Sequence, residues 1–106
     1  MHSIIFVTTS SKNEAKNIAG ALVKKKLAAC VNIITGVDSI FRWQGKVERA
    51  AETLLIIKSK KAKLPRIIRL VKSLHSYATP EIIALPIIGG EKNYLKWIDE
   101  SIGQSA

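Results

Sequence analysis

The chain has 106 residues, 47% of them hydrophobic and 24% charged, which is room for one folded domain and too apolar for a disordered chain. No apolar run reaches the ~18–20 residues that cross a bilayer, and a lone cysteine excludes both an intramolecular disulfide and a zinc site of several thiolates from one chain. The 17 basic and 8 acidic residues give a net charge of +9, which draws polyanions without specifying one.

That charge is spread along the chain: nine basic and four acidic residues lie up to Lys58, and eight and four after it. It belongs to the folded body. The opening Met1-His2-Ser3 and the short apolar stretch behind it lack the basic start and long core of a secretory leader, so a cytoplasmic protein is expected.

Residues 3–9, short, apolar and β-branched, predict a strand. A helix follows, capped by Ser10 or Ser11 with Glu14 three residues after Ser11 in capping-box spacing. Ala15, Ile18, Ala19, Leu22 and Val23 recur at helical intervals up to the lysines 24–26, whose charge suits the negative end of the helix dipole. Residues 27–35 predict a second strand, the apolar alternation resumes after Gly36 through Val37, Ile40, Phe41 and Trp43, and Gln44-Gly45 predicts a hairpin turn. The next strand is clearest at 53–58. Residues 60–75 return to helical period, with Pro65 in the first turn and Leu64, Ile67, Ile68, Val71 and Leu74 on one side. A fourth strand runs from Glu81 to Ile88 and stops at Gly89-Gly90, and residues 93–102 close the chain as an amphipathic helix.

The order β-α-β-β-α-β plus a final helix predicts a single α+β domain over residues 1–106, a ferredoxin-like sandwich with both main helices on one face of an antiparallel sheet. Such a sheet should alternate apolar and polar residues, yet these strands are apolar at both parities: Ile4 and Phe6 oppose Ile5 and Val7, and Leu54 and Ile56 oppose Leu55 and Ile57. Each large aliphatic side chain left in water forgoes ~1.5–3 kcal/mol. The last helix is too short to cover the second face alone, so a closed oligomer packed sheet to sheet is expected. The hairpin through Trp43-Gln44-Gly45 would overhang the sheet and extend a neighbour's.

Five segments resemble the CutA family of divalent-ion tolerance proteins, in order and over nearly the whole chain. They are Leu27-Ala28-Ala29-Cys30-Val31-Asn32-Ile33; Ser39-Ile40-Phe41-Arg42-Trp43-Gln44-Gly45-Lys46; Glu52 with Leu55-Ile56-Ile57-Lys58; His75-Ser76-Tyr77-Ala78-Thr79-Pro80-Glu81-Ile82; and Tyr94-Leu95-Lys96-Trp97. The resemblance implies a ferredoxin-like subunit, a tightly packed homotrimer and an association with tolerance to copper and other divalent ions. It also implies, for some animal members, a link to the membrane anchoring of acetylcholinesterase. Two departures stand out. Family members often carry His-Pro-Tyr-Glu where this chain has His75-Ser76-Tyr77-Ala78, and a hydroxylated aromatic where Phe41 stands.

His75, Glu81 and Cys30 are the candidate metal ligands, since imidazole and carboxylate suit copper or zinc and a thiolate suits Cu(I). Cys30 also reads as a small buried hydrophobe, and His75 as a partner of the helix end. Met1 and His2 are a weaker terminal copper pair. Trp43, Lys58, Tyr77 and Trp97 match recurring family positions and are expected to line a cleft between subunits, the tryptophans doubling as interface anchors. No catalytic constellation is present: there are two histidines, no phosphate-binding glycine loop and no nucleophile elbow.

Lys60, Lys61, Lys63, Arg66, Arg69 and Lys72 make the second helix basic without one acid, which raises a nucleic-acid reading. RNA-binding sandwiches of this class stack bases on sheet aromatics, whereas the sheet face here is aliphatic with Phe6 almost alone, so no specific nucleic acid is expected. The leading expectation is a trimeric copper-tolerance or copper-binding module. The alternatives are a basic nucleic-acid or polyanion-binding domain and a purely structural trimer that scaffolds a partner.

Overall fold

The computed structural model describes residues 1–103. It is an α+β domain in the expected order: β1 (His2–Thr9), α1 (Lys12–Lys24), β2 (Cys30–Trp43), β3 (Lys46–Lys60), a short 3-10 turn (Lys61–Lys63), α2 (Leu64–Leu74), β4 (Ile82–Pro86) and α3 (Lys92–Ser101). The four strands form one sheet in the order β2-β3-β1-β4, with every neighbouring pair antiparallel.

Local chemistry fixes the ends of α1. Ser11 caps it, its hydroxyl accepting the Glu14 N–H at 3.1 Å, which covers one of the open donors of the first turn. The return half of the capping box goes one residue further back than expected, to the N–H of Ser10 at 3.1 Å. At the other end Lys26 adopts a positive φ of 58°, a left-handed turn that lets the N–H groups of Leu27 and Ala28 close on the Leu22 carbonyl. Residues 27–29, read from sequence as the start of β2, are therefore a buried exit from the helix. They are apolar because they are buried, a property that does not distinguish strand from coil.

The period-2 burial of β1 and β3 turns Ile5, Val7, Leu55 and Ile57 toward α1 and α2, where they meet Ala15, Ile18, Leu22, Ile67 and Val71 in one core. The opposite parity carries Ile4, Phe6, Leu54 and Ile56 to the other side of the sheet. There α3 forms a second, smaller cluster of Ile98 and Ile102 with Ala29 and Leu95. Asp99 pins that helix, lying 2.9 Å from His2 Nε2 and 3.1 Å from Lys60 Nζ.

Cover by α3 is partial. On the sheet side away from α1 and α2, Ile83 is 53%, Leu85 51% and Ile34 45% exposed. β2 and β3 also outrun the sheet: their pairing continues from Val37↔Glu52 to Trp43↔Lys46, whereas β1 meets β3 only as far as Thr9↔Thr53. Gln44 and Gly45 turn this free hairpin with φ of 50° and 78°, the paired positive values a tight two-residue loop requires.

Candidate functional site

The connection from α2 to β4 lies beside the root of the hairpin, and the two enclose an open cleft of about 540 Å³. β4 begins opposite Val7, so among the described residues no strand lies beside Thr8 on that side. The His75 ring takes that place, its Nε2 lying 2.7 Å from the Thr8 carbonyl. A carbonyl only accepts, so Nε2 carries the proton; Nδ1 then accepts the N–H of Tyr77 at 3.0 Å. Both ring nitrogens of a wholly buried side chain are spent on holding the loop.

Glu14 holds the same loop from α1. Its carboxylate accepts the Ser76 N–H at 2.8 Å and the Ser10 N–H and hydroxyl at 3.1 and 3.2 Å, with His75 Nδ1 at 3.9 Å. Burial raises the Glu14 pKa, but the bonds from Ser10 and Ser76 outweigh it, and the net shift is downward. The loop so fixed presents Tyr77 to the cleft, where its hydroxyl donates to Glu52 Oε2 at 3.1 Å. Burial first, and then the Glu52 and Glu14 charges, raise the Tyr77 pKa.

The cleft is lined by Phe41, Trp43 and Tyr77 together with Glu48, Glu52, Glu81 and Arg49. Within a chain of +9 it is a local patch of net negative charge, which favours a cationic visitor. Of the residues singled out from sequence, it unites Trp43, Tyr77 and Glu81. Lys58 lies elsewhere, in register with Ile4 on β1 and Cys30 on β2. Trp97 is on α3, its ring 5.4 Å from that of Tyr94.

Cys30 does not join His75 within one chain. It shares a sheet row with Ile4, four residues from Thr8 and so about 13 Å along the strand. Among the described residues no three His, Cys, Asp or Glu side chains come together as a metal cluster. The donor set His75, Glu81 and Cys30 thus does not fit a mononuclear site inside one subunit. The terminal pair is also engaged, since His2 is committed to Asp99. Sequence reading gave Glu48 no role, named Glu52 only among the residues that carry the family resemblance, and read Glu14 only from its spacing to Ser11, which did not point to Ser76.

A family model described as CutA1 divalent ion tolerance protein matches residues 3–101. The divalent-cation tolerance protein CutA of Thermus thermophilus is 46% identical over 103 residues, covering 97% of this chain and 100% of that one. A solved structure of the Thermus thermophilus protein superposes with a TM-score of 0.96, covering 97% of this chain and 100% of that one. The Archaeoglobus fulgidus structure, described as a periplasmic divalent cation tolerance protein CutA, is 47% identical, with a TM-score of 0.94 over 97% of this chain and 100% of its own. The rice chloroplastic protein CutA 1 is 45% identical over 96% of this chain, which spans 58% of the rice protein's length. The chain belongs to the CutA1 family of divalent ion tolerance proteins.

Proposed function

We propose that the chain acts in tolerance of divalent cations, copper among them, as a ferredoxin-like homotrimer that binds or regulates and performs no reaction of its own. The observation that carries this reading is the uncovered apolar side of the sheet, Ile34, Ile83 and Leu85, beside a hairpin that no third strand among the described residues pairs with. Copies packed sheet to sheet would bury that surface, and the hairpin of one would lengthen the sheet of the next. In such an assembly the negatively charged cleft would lie near a subunit junction, where Lys58 and Trp97 of a neighbour could complete the lining with Trp43 and Tyr77.

The cation reading rests on the cleft carboxylates. Glu81, exposed on its rim, is the proposed first contact for a divalent ion. His75 would join it only by giving up the Thr8 carbonyl or the Tyr77 amide, and Cys30 only as a separate thiolate site. A cytoplasmic location is part of the same proposal, and cell fractionation tests it; among the described residues no helix is long and apolar enough to cross a membrane. Calorimetric titration with Cu²⁺ tests the ion. The expected result is saturable uptake that Glu81→Gln weakens at least about tenfold, equal to 1.4 kcal/mol, with Cys30→Ser unchanged for Cu²⁺. Uptake indifferent to Glu81→Gln would remove the cleft as the cation site.

A further inference from the structure

The charge of this chain is segregated. The segments 12–26 and 61–75 hold ten basic residues and one acid, while all remaining residues hold seven of each sign. The whole excess of +9 therefore sits on the two helices and their ends, which pack side by side on one face of the sheet. Their apolar sides are buried in the core, so Lys12, Lys16 and Lys24 of α1 and Arg66, Arg69 and Lys72 of α2 are left exposed. The one acid in the layer, Glu14, is 12% exposed at its side chain and already accepts from Ser10 and Ser76. Among the described residues, the other acids found in ion pairs are Asp99 and Glu100, and both lie on α3.

We propose that the outer surface of α1 and α2 is a docking surface for the phosphate backbone of double-stranded nucleic acid, engaged without regard to sequence. At 1.5 Å per residue Lys12 and Lys24 stand about 18 Å apart along their helix, and Arg66 and Lys72 about 9 Å. That reach matches about five nucleotide steps of one strand at 3.4 Å each. Asn13, Asn17 and Ser73 are exposed between the cations and supply the neutral donors that commonly accompany Lys and Arg on phosphates.

What the surface lacks narrows the partner. It carries no aromatic side chain, so bases of a single strand find nothing to stack on. Val23 is the one large apolar side chain exposed on either helix among the described residues, whereas helices that enter a bilayer surface present an apolar face outward. The surface also lies across the sheet from Ile83 and Leu85, so it stays open whether or not copies assemble there.

Fluorescence anisotropy with labelled DNA and RNA duplexes of roughly 20 base pairs and unrelated sequence tests the proposal between about 50 and 200 mM salt. Both duplexes should bind with similar affinity, a log–log salt slope of about −4 or steeper, and preference over a single strand of equal length. The triple variant Arg66→Gln, Arg69→Gln, Lys72→Gln should lose at least about tenfold in affinity and about 2.7 from the slope. Lys12→Gln with Lys16→Gln tests the same face from the other helix and should reduce the slope by about 1.8. Arg42→Gln with Lys96→Gln, outside the face, should change neither. No duplex binding at the lowest salt would overturn the proposal. So would an unchanged slope in both helix variants, a preference for single strands or one sequence, or capture by phosphatidylserine vesicles with no affinity for duplexes. Circular dichroism and light scattering of each variant separate lost binding from lost folding or assembly.

Discussion

His75 stands where a strand would otherwise continue, its Nε2–H given to the carbonyl of Thr8 at 2.7 Å. The same ring receives the Tyr77 N–H, so one buried neutral imidazole ties β1 to the loop that shapes the cleft. His75→Ala strands a carbonyl and an amide near the core and should cost about 2–3 kcal/mol of unfolding free energy. Denaturant melts check the size. Amide exchange across residues 75–81 should speed up more than exchange in β3, and uniform protection would show that the ring does not hold the loop.

Glu14 ties α1 to the same loop across 62 positions of sequence. Its folded pKa is lowered, so its contribution is full above the ordinary glutamate range and is lost as pH falls through the lower folded value. Glu14→Gln should destabilise the protein by about 1 kcal/mol at neutral pH and flatten the acid limb of the stability curve. Thermal melts from neutral to about pH 3 follow both effects. An acid limb identical to wild type would contradict them.

Tyr77 and Glu52 make a second checkable pair. Burial and the Glu52 carboxylate raise the tyrosine pKa, while the chain's other tyrosine, Tyr94, lies on α3. Ultraviolet titration should show one of the two tyrosines ionising late, and Glu52→Gln should bring that step down. If Glu52→Gln leaves the curve unmoved, the 3.1 Å bond is not formed in solution.

Asp99 anchors α3 through Lys60 and His2. The Lys60 hydrogen bond is the largest influence on its carboxyl, opposed by burial and reinforced by the Lys60 and His2 charges, and the net pKa falls. The anchor is therefore complete above the ordinary aspartate range and weakens as pH drops through the lower folded value. Asp99→Asn should accelerate amide exchange at residues 98–102 at neutral pH and leave β1 protection in place. Equal protection in both proteins would show that α3 is held by Ile98 and Ile102 alone.

The strands, the helices and the turn at Gln44-Gly45 were legible because each is written in neighbouring residues: short continuous apolar runs in 3–9 and 53–58, period 3.6 with the Ser11 cap in α1. The false strand start at 27–29 shows the limit, since Leu27 and Ala28 are apolar for burial alone and the left-handed Lys26 carries no mark in its side chain. The cleft was half legible. Trp43, Tyr77 and Glu81 stood out as residue types, but their grouping with Glu48 and Glu52 depends on where a free hairpin meets a loop. Ties such as Glu14 to Ser76 and His2 to Asp99 span most of the chain and leave no local pattern. The separation of Cys30 from His75 is likewise a matter of strand register, which a lone cysteine cannot announce.

The exposed apolar side of the sheet makes the most direct demand of all. Light scattering on the purified chain at micromolar concentration should return about 35 kDa, three times the 11.7 kDa subunit, and Leu85→Glu with Ile83→Lys should drive that mass down. A monodisperse particle of one subunit, folded and soluble with Ile83 and Leu85 open to water, would contradict the assembly and every cleft proposed to depend on it.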